Sequence, residues 1–209
     1  MNVFDKPIVM IDFETTGLSP DMGDRITEVA ALRIEGGRIT DRYVTLINCN
    51  ARIPSFITGL TGITQAMVDK APPVAEVVPQ LLDFIGSDAL SAHNASFDEK
   101  FLRAESARLN LTPAHQSLVC SLKLSRRVFP GLSSYKLGLL SSQLGIAFKS
   151  AAHRAESDAE VAAQVLIHIG RHLRSSYGIA DVDADLLVSL NKLAAAKVPQ
   201  FLQKHPSRR

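Results

Sequence analysis

Residues 9–17 read "VMIDFETTG", an apolar run that ends in two carboxylates. The run starts at Ile8 and contains β-branched residues, a composition that predicts a central strand of a sheet. Asp12 and Glu14 are two residues apart, so on a strand both side chains point to the same face. A buried charge is costly unless another group pairs with it. The rest of the chain is therefore expected to supply a partner for this acidic pair.

The composition is that of a globular protein. The chain has 209 residues, of which 46% are hydrophobic and 21% charged, enough for one domain with a substantial core. No apolar run approaches the roughly 18 residues that span a bilayer, and Asp5 and Lys6 precede a short apolar stretch that does not resemble a secretory signal. Cys49 and Cys120 fit no metal or disulfide spacing. We therefore expect a cytoplasmic protein with no membrane partner. A net charge of +2 permits a nucleic-acid partner without arguing for one.

The order of predicted elements favours an α/β fold. Strands are predicted over residues 8–12, 26–34, 39–47 and 89–94, with a hairpin turn at Gly36-Gly37. Helices are predicted over residues 74–85, 97–109, 133–144 and 157–172, and Ser96 with Glu99 and Ser157 with Glu160 form capping-box patterns. The stretch 48–73 is polar and marked by prolines. An antiparallel run followed by strands mixed with helices predicts a layered fold with a central mixed sheet flanked by helices.

The C-terminal part differs in pattern from about residue 175 onward. Residues 183–198 predict an amphipathic helix with leucines on one side, which Pro199 ends, and the last residues are basic and expected to be mobile. We therefore divide the chain into a domain over residues 1–175 and a C-terminal helix with a basic tail over residues 176–209.

The acidic pair has two interpretations. Asp12 and Glu14 could form a solvated pair at the end of a strand. Alternatively, because two close carboxylates repel each other unless a cation lies between them, the pair could bind a divalent metal. Ligands that are all oxygen favour Mg²⁺ or Mn²⁺.

Two later stretches carry similar polar groups. In "HNASFD" (93–98), Asp98 lies at the start of a helix that directly follows a buried strand, where it could also simply stabilise the helix dipole. His93 and Asn94 lie at the carboxyl end of that strand, where open α/β sheets bind ligands. In "HRAESDAE" (153–160), His153 precedes a helix and Asp158 lies in its first turn, so that both can reach one site, although a lone histidine there could be a surface or capping residue.

Together, "DFETTG", "HNASFD" and "HRAESDA" resemble the three motifs of the DEDD exonucleases, in the branch with a histidine in the third motif. "LTGIT" (60–64) and "SYKLGLL" (134–140) are similar to further elements of that family, and the resemblance runs from about Ile8 to Ile169. Within the family the chain is similar to the proofreading epsilon subunit of bacterial DNA polymerase III and its stand-alone relatives. Glu156 departs from the family, which usually has an apolar residue there, and it could alter the charge near the metals.

The resemblance implies a ribonuclease H-like fold and a 3′–5′ exonuclease that releases nucleoside 5′-monophosphates from DNA 3′ ends, in proofreading or repair. It implies two divalent cations, Mg²⁺ or Mn²⁺, that clamp the scissile phosphate. Asp12 would bridge both cations, Glu14 and Asp158 would complete one site, and Asp98 would act on the second or through water. His153 would take the proton from the attacking water.

Further substrate contacts follow from the resemblance. The backbone amides of Thr15 and Thr16, beside Gly17, would meet the terminal nucleotide, and Leu18 would wedge beside the last bases. Ile63 would line the base pocket. For Leu18, Ile63 and Phe97 the alternative is ordinary core packing. The remaining expected site residues, at the start of the second motif, are His93, Asn94 and Phe97.

Three alternatives remain open. The substrate could be RNA rather than DNA, with single-stranded DNA favoured. The chain could be a module that binds nucleic acid or a polymerase without cleaving, which the presence of all five polar motif residues disfavours. The C-terminal helix could dock on a DNA polymerase or on a second copy of the chain, or it could pack on its own domain, which we favour.

Overall fold

A mixed sheet forms the centre of the computed structural model, which describes residues 2–147 and 153–205. Within these residues the strand order is β3-β2-β1-β4-β5, with β1, β2 and β3 antiparallel and β4 and β5 parallel to β1. The strands are β1 (Ile8–Thr15), β2 (Ile26–Glu35), β3 (Arg38–Leu46), β4 (Ala89–Ala92) and β5 (Leu118–Cys120). The predicted mixed sheet with a central first strand is confirmed.

Helices cover both faces of this sheet. Ile8 and Met10 of β1 point into a core that includes α7, whereas Val9 and Ile11 point into a core that includes α3 and α4. The helices are α1 (Ser55–Thr61), α2 (Gln65–Val68), α3 (Val74–Ile85), α4 (Ala95–Arg108), α5 (Ser121–Val128), α6 (Leu137–Gln143), α7 (Ala155–Tyr177), α8 (Ala184–Lys192) and α9 (Val198–Lys204). Because side chains alternate along a strand, Asp12 and Glu14 share the α7 face with Ile8 and Met10.

Both predicted capping boxes are wrong. Ser96 and Ser157 lie inside their helices, because α4 begins at Ala95 and α7 begins at Ala155. The start of α4 is set by Asn94, whose left-handed backbone (φ 78°) turns the chain out of β4. The backbone conformation of Asn94, rather than a serine cap, therefore marks where α4 begins.

Several short elements escaped the sequence prediction. The chain forms β5 and α5 in a segment for which we predicted no structure, and α1 and α2 within the polar stretch 48–73. The helix predicted over residues 133–144 is shorter, from Leu137 to Gln143. A strand of three residues is too short to show a period, and β5 exists because it pairs with β4.

The C-terminal segment packs on the rest of the chain. The prediction of one helix ended by Pro199 is wrong: α8 ends at Lys192, and Pro199 lies in the first turn of α9, where proline is tolerated. The Asn191 side chain accepts a hydrogen bond from the Cys120 N–H (2.8 Å) and donates to the Cys120 carbonyl oxygen (3.0 Å), so it covers the edge strand β5. Buried residues of this segment join the core around α7: Ile179, Val182, Leu186, Leu187, Leu190, Val198 and Leu202.

The division of the chain at residue 175 stays a prediction; α7 itself continues to Tyr177. Residues 206–209 of the predicted basic tail lie outside the described residues. Along the described chain, no helix is both long enough and apolar enough to cross a membrane.

Candidate active site

The acidic pair lies where β1 extends beyond its parallel neighbour. The pairing of β1 with β4 ends at Met10 and Ser91, whereas β2 pairs with β1 as far as Thr15. Asp12 and Glu14 therefore lie at the open side of the sheet. The first turn of α7 brings Asp158 to the same point, and carboxylate oxygens of Asp12, Glu14 and Asp158 all lie within 4.8 Å of one another.

Asp98 approaches the same cluster from the other side of β1. It lies in the first turn of α4 with only 3% of its surface exposed. Burial raises the pKa of Asp98 to about 8, although hydrogen bonds from the backbone N–H groups of Asp98 and Phe13 oppose this rise. The structure thus brings together the four acids that the three motifs predicted.

Burial and mutual repulsion make this cluster hold protons tightly. Burial is the largest cause that raises the pKa of Asp12 well above its ordinary range, and repulsion from Asp98 and Asp158 adds to it. The pKa of Glu14 rises to about 7, chiefly through burial and then through Asp158. Burial also raises the pKa of Asp158, against an opposing hydrogen bond from the His153 backbone. Ionised together, these groups need nearby positive charge.

The donor set fits a divalent cation. Asp12, Glu14 and Asp158 offer oxygen ligands only, as hard cations prefer, and their spacing lets one ion contact all three. The cluster is therefore suited to hold a divalent cation.

His153 lies at the rim of the cluster. Its backbone N–H donates to Oδ2 of Asp158 (3.0 Å), and its side chain is exposed. The backbone of His153 is left-handed (φ 64°), an uncommon conformation for a residue other than glycine. Residues 148–152, which precede it, lie outside the described part of the chain.

The ring of His93 binds other parts of the protein, and its expected contact with substrate stays a prediction. Its Nε2 lies 2.9 Å from the Tyr135 carbonyl oxygen and its Nδ1 lies 3.0 Å from the Ser121 hydroxyl. A carbonyl can only accept, so Nε2 carries the proton and Nδ1 accepts from Ser121. Burial lowers the pKa of His93, in agreement with a neutral ring. Since both ring nitrogens bind the protein, His93 joins the end of β4 to α5 and to the segment before α6.

The loop after β1 is closed by its own hydrogen bonds, which bear on the expected contacts of Thr15 and Thr16. The Thr16 N–H already donates to the Arg25 carbonyl oxygen (2.9 Å), so it is not available to a nucleotide. The Thr16 hydroxyl accepts from the Arg25 N–H (3.0 Å), and the Asp24 carboxylate accepts from the Ser19 N–H (2.9 Å). A Cβ at Gly17 would lie 2.4 Å from Asp24, so glycine lets this loop close. Thr15 is buried, and its hydroxyl donates to the Gly17 carbonyl oxygen (2.6 Å).

The two apolar residues expected to contact bases differ in exposure. Leu18 is 82% exposed, so the core-packing alternative is wrong for it. Ile63 is fully buried in a small core with Ile53 and Val68, so it offers no surface to a base and the expected role is corrected. Phe56 and Leu60 of α1, which the sequence prediction missed, are 68% and 52% exposed.

Asn94 and Phe97 flank the start of α4. Asn94 is exposed at the carboxyl end of β4, and Phe97 is half-buried with its ring 5.0 Å from that of Phe101. Both lie within one turn of Asp98, and Phe97 also packs against the buried core. That they shape the site stays a prediction.

Two ion pairs near the site also escaped the sequence prediction. Glu28 of β2 lies opposite Glu14 and binds Arg154. An acidic residue within the otherwise apolar first half of "ITEVAALRI" was the signal that could have revealed it. Glu156, the departure from the family pattern, binds Arg42 of β3 (3.1 Å). That ion pair gives the Glu156 carboxylate a cationic partner.

Comparisons with known proteins agree with this site. The family model described as an exonuclease matches residues 9–166. The DNA polymerase III subunit epsilon of Aquifex aeolicus (strain VF5) is 36% identical over 180 residues, which cover 86% of this chain and 88% of that protein. The 3′–5′ exonuclease DinG of Bacillus subtilis (strain 168) is 40% identical over 166 residues, which cover 79% of this chain but 18% of DinG.

A solved structure of exonuclease X in complex with 5′-overhanging duplex DNA is 26% identical, with a TM-score of 0.69, and covers 88% of this chain and 99% of that one. The nuclease domain of 3′hExo, a DEDDh family member bound to rAMP, shares the fold at 22% identity, with a TM-score of 0.70 over 83% of this chain and 94% of that one. With its three motifs joined in one acidic site, the chain belongs to the exonuclease family and is a 3′–5′ exonuclease.

Proposed function

We propose that the acidic cluster hydrolyses the last phosphodiester bond at a DNA 3′ end and releases a nucleoside 5′-monophosphate. The observation that carries this proposal is the convergence of the Asp12, Glu14 and Asp158 carboxylates within 4.8 Å on an open edge of the sheet. Asp12, Glu14, Asp98 and Asp158 would hold two cations, Mg²⁺ or Mn²⁺. Bound there, such ions polarise the scissile phosphate and lower the pKa of the attacking water.

His153 is the general base in this proposal. An imidazole that is neutral near pH 7 can accept the proton of the attacking water, and the exposed side chain of His153 is open to solvent and substrate. The hydrogen bond from its backbone to Asp158 keeps the residue next to the metal-binding carboxylates. The water oxygen bonds to phosphorus as the bond to the 3′-oxygen of the penultimate nucleotide breaks. That 3′-oxygen takes a proton from solvent water, and His153 returns the proton that it accepted to solvent.

Single-stranded DNA is the proposed substrate. Leu18 is exposed in the loop that follows β1, and an exposed apolar side chain can insert next to unpaired bases. Phe56 and Leu60 of α1 add exposed apolar surface of the kind that unpaired bases can contact. The similarity to an epsilon subunit supports DNA and a role in proofreading or repair, with a DNA polymerase as partner.

The docking role of the C-terminal helix stays a prediction. We further propose the cytoplasm as the compartment, because both cysteines are free, buried thiols, as expected in a reducing environment.

A direct assay tests the proposal. Oligonucleotides labelled at the 5′ end would be offered as single-stranded DNA, duplex DNA with a mismatched 3′ end, and RNA, with Mg²⁺, with Mn²⁺ or with a chelator, and the products would be identified by mass. We expect stepwise shortening from the 3′ end, nucleoside 5′-monophosphates, a preference for unpaired DNA ends and no cleavage with the chelator. A faster reaction on RNA than on DNA would overturn the proposal that DNA is the substrate. Turnover in the presence of the chelator would overturn the proposed metal mechanism.

A further inference from the structure

Glu28 is a fifth carboxylate beside the cluster, and its oxygens are bound by residues at the start of α7. It lies on β2 directly opposite Glu14, and its side chain is 4% exposed. Arg154 donates from Nε to Oε2 (3.1 Å) and from Nη2 to Oε1 (2.5 Å). The Ala155 N–H donates to Oε2 as well (3.0 Å). Glu28 therefore ties the first residues of α7 to the central sheet.

The burial of the Glu28 carboxylate has an energetic cost that its hydrogen bonds must offset. Glu28 is buried, whereas the Arg154 side chain is 43% exposed, so it is mainly the carboxylate that loses its hydration. Repulsion from Glu28 also helps to raise the pKa values of Asp12 and Glu14, whereas Arg154 opposes this rise at Glu14.

The ion pair between Arg154 and Glu28 lies next to His153 in the chain. Arg154 directly follows His153, whose left-handed backbone is disfavoured for a residue with a side chain. Such a conformation persists when contacts on both sides hold it. The hydrogen bond from the His153 N–H to Asp158 holds the residue to α7, and the fork of Arg154 on Glu28 holds the adjacent residue to β2.

We propose that Arg154, clamped on Glu28, is a positioning residue that sets the direction from which the His153 side chain enters the site. The proposal rests on the proposed role of His153 as general base. A planar guanidinium with two parallel hydrogen bonds fixes the orientation of the chain better than a point charge does. Displacement of a catalytic group by about 1 Å can cost on the order of 10²-fold in rate.

Arg42 offers a matched control. It also connects a strand to α7, through Glu156 (3.1 Å) and Glu160 (3.5 Å), but it starts from β3, and its carboxylate partners are 50% and 22% exposed, against 4% for Glu28. Exposed pairs of this kind contribute little. Arg42→Met is therefore expected to leave kcat unchanged.

A double-mutant cycle tests the proposal on single-stranded DNA. Arg154→Met is expected to lower kcat by about 10- to 100-fold with KM changed by less than about twofold. In the His153→Ala background the same substitution is expected to lower kcat by less than about twofold, because no side chain remains to be positioned. Equal losses in both backgrounds would overturn the inference. A His153→Ala enzyme with normal turnover would instead overturn the proposed general base, so the two failures are distinguishable.

Two further variants exclude misfolding and a pure charge effect. Arg154→Met leaves Glu28 buried and unpaired, so the double variant Glu28→Gln/Arg154→Met removes that charge and is expected to fold, with the near-ultraviolet circular dichroism of the parent. We expect this variant to keep the loss in kcat because the clamp is still absent. We expect Arg154→Lys, which retains the charge without the fork, to keep most of the loss. Full recovery of kcat in either variant would show that Arg154 only neutralises Glu28 and would overturn the inference.

Discussion

Glu14 and Glu28 lie directly opposite each other on the antiparallel strands β1 and β2. Like charges in this position repel. The surroundings of the two carboxylates differ. Glu28 is bound by Arg154 and by the Ala155 N–H, whereas the pKa of Glu14 rises to about 7 through burial and the repulsion of its acidic neighbours. Only Glu14 of this pair is therefore open to a cation, which makes the charge of the site sensitive to pH and to metal.

Removal of the Asp12 carboxylate is expected to lower activity but raise stability. Asp12→Asn is expected to lower turnover by about 10³-fold or more, since metal-based charge stabilisation is worth several kcal/mol. The same change is expected to raise the melting temperature in a chelator, because Asp12 repels Asp98 and Asp158. Turnover and thermal melting check both parts, and an active Asp12→Asn enzyme would contradict the two-metal interpretation.

The stability of the cation-free protein is expected to fall as the pH rises from about 4.5 to about 8. The folded state raises the pKa of Glu14 from 4.5 to about 7 and that of Asp98 from 3.8 to about 8, so it binds these protons more tightly than the unfolded chain does. This stabilisation is complete below the unfolded values and is lost as the pH passes through the folded ones. For Glu14 alone it amounts to about 3 kcal/mol at most.

Melting curves in a chelator between pH 5 and pH 8.5 measure this loss, and Mg²⁺ is expected to reverse it because the cation binds the ionised form. Glu14→Gln is the control and should flatten the dependence. A cation-free stability that rises over this range would contradict the assigned pKa directions.

Loss of the proposed base affects turnover but not metal binding. His153→Ala is expected to slow hydrolysis by roughly 10²- to 10⁴-fold, the usual range for the loss of a general base. Mn²⁺ affinity, measured by calorimetry, should remain, because the ligands are carboxylates. If Mn²⁺ affinity falls and excess Mn²⁺ restores the rate, His153 is a ligand instead.

Leu18 and Ile63 should give opposite phenotypes. Leu18→Ser is expected to raise KM for single-stranded DNA without a change in melting temperature, since the side chain is exposed. Ile63→Ala is expected to cost about 2–5 kcal/mol of unfolding free energy, because it opens a cavity in a buried cluster. An Ile63→Ala protein of normal stability with a raised KM would restore the predicted base contact.

Replacement of Asn191 is expected to lower the unfolding free energy more than replacement of its neighbour Lys192. Asn191→Ala leaves the N–H and carbonyl groups of Cys120 without their side-chain partner, at a cost of about 1–3 kcal/mol. The neighbouring exposed Lys192→Ala is the control and should be close to neutral. Denaturant melts of both variants check this, and equal stabilities would argue that α8 is only loosely attached.

The sequence alone was sufficient for the features that depend on local pattern. The apolar run of β1, the helix from Val74 to Ile85 and the three acidic motifs follow from spacing, because each period or motif is contained in a short window. The family membership followed from the order of the motifs, since three motifs together are far more specific than any one.

Only the tertiary structure decided which groups remain free to act. The sequence predicted that His93 contacts the substrate, whereas in the structure Ser121 and the Tyr135 carbonyl bind both of its ring nitrogens. Ile63 and Leu18 are both apolar, and their exposure depends on distant packing that no local pattern contains. The ion pair of Glu28 with Arg154 joins residues 126 positions apart, so its geometry exists only once β2 and α7 are packed together. Local chemistry thus determined the reacting groups, whereas long-range packing determined their partners, their exposure and their pKa values.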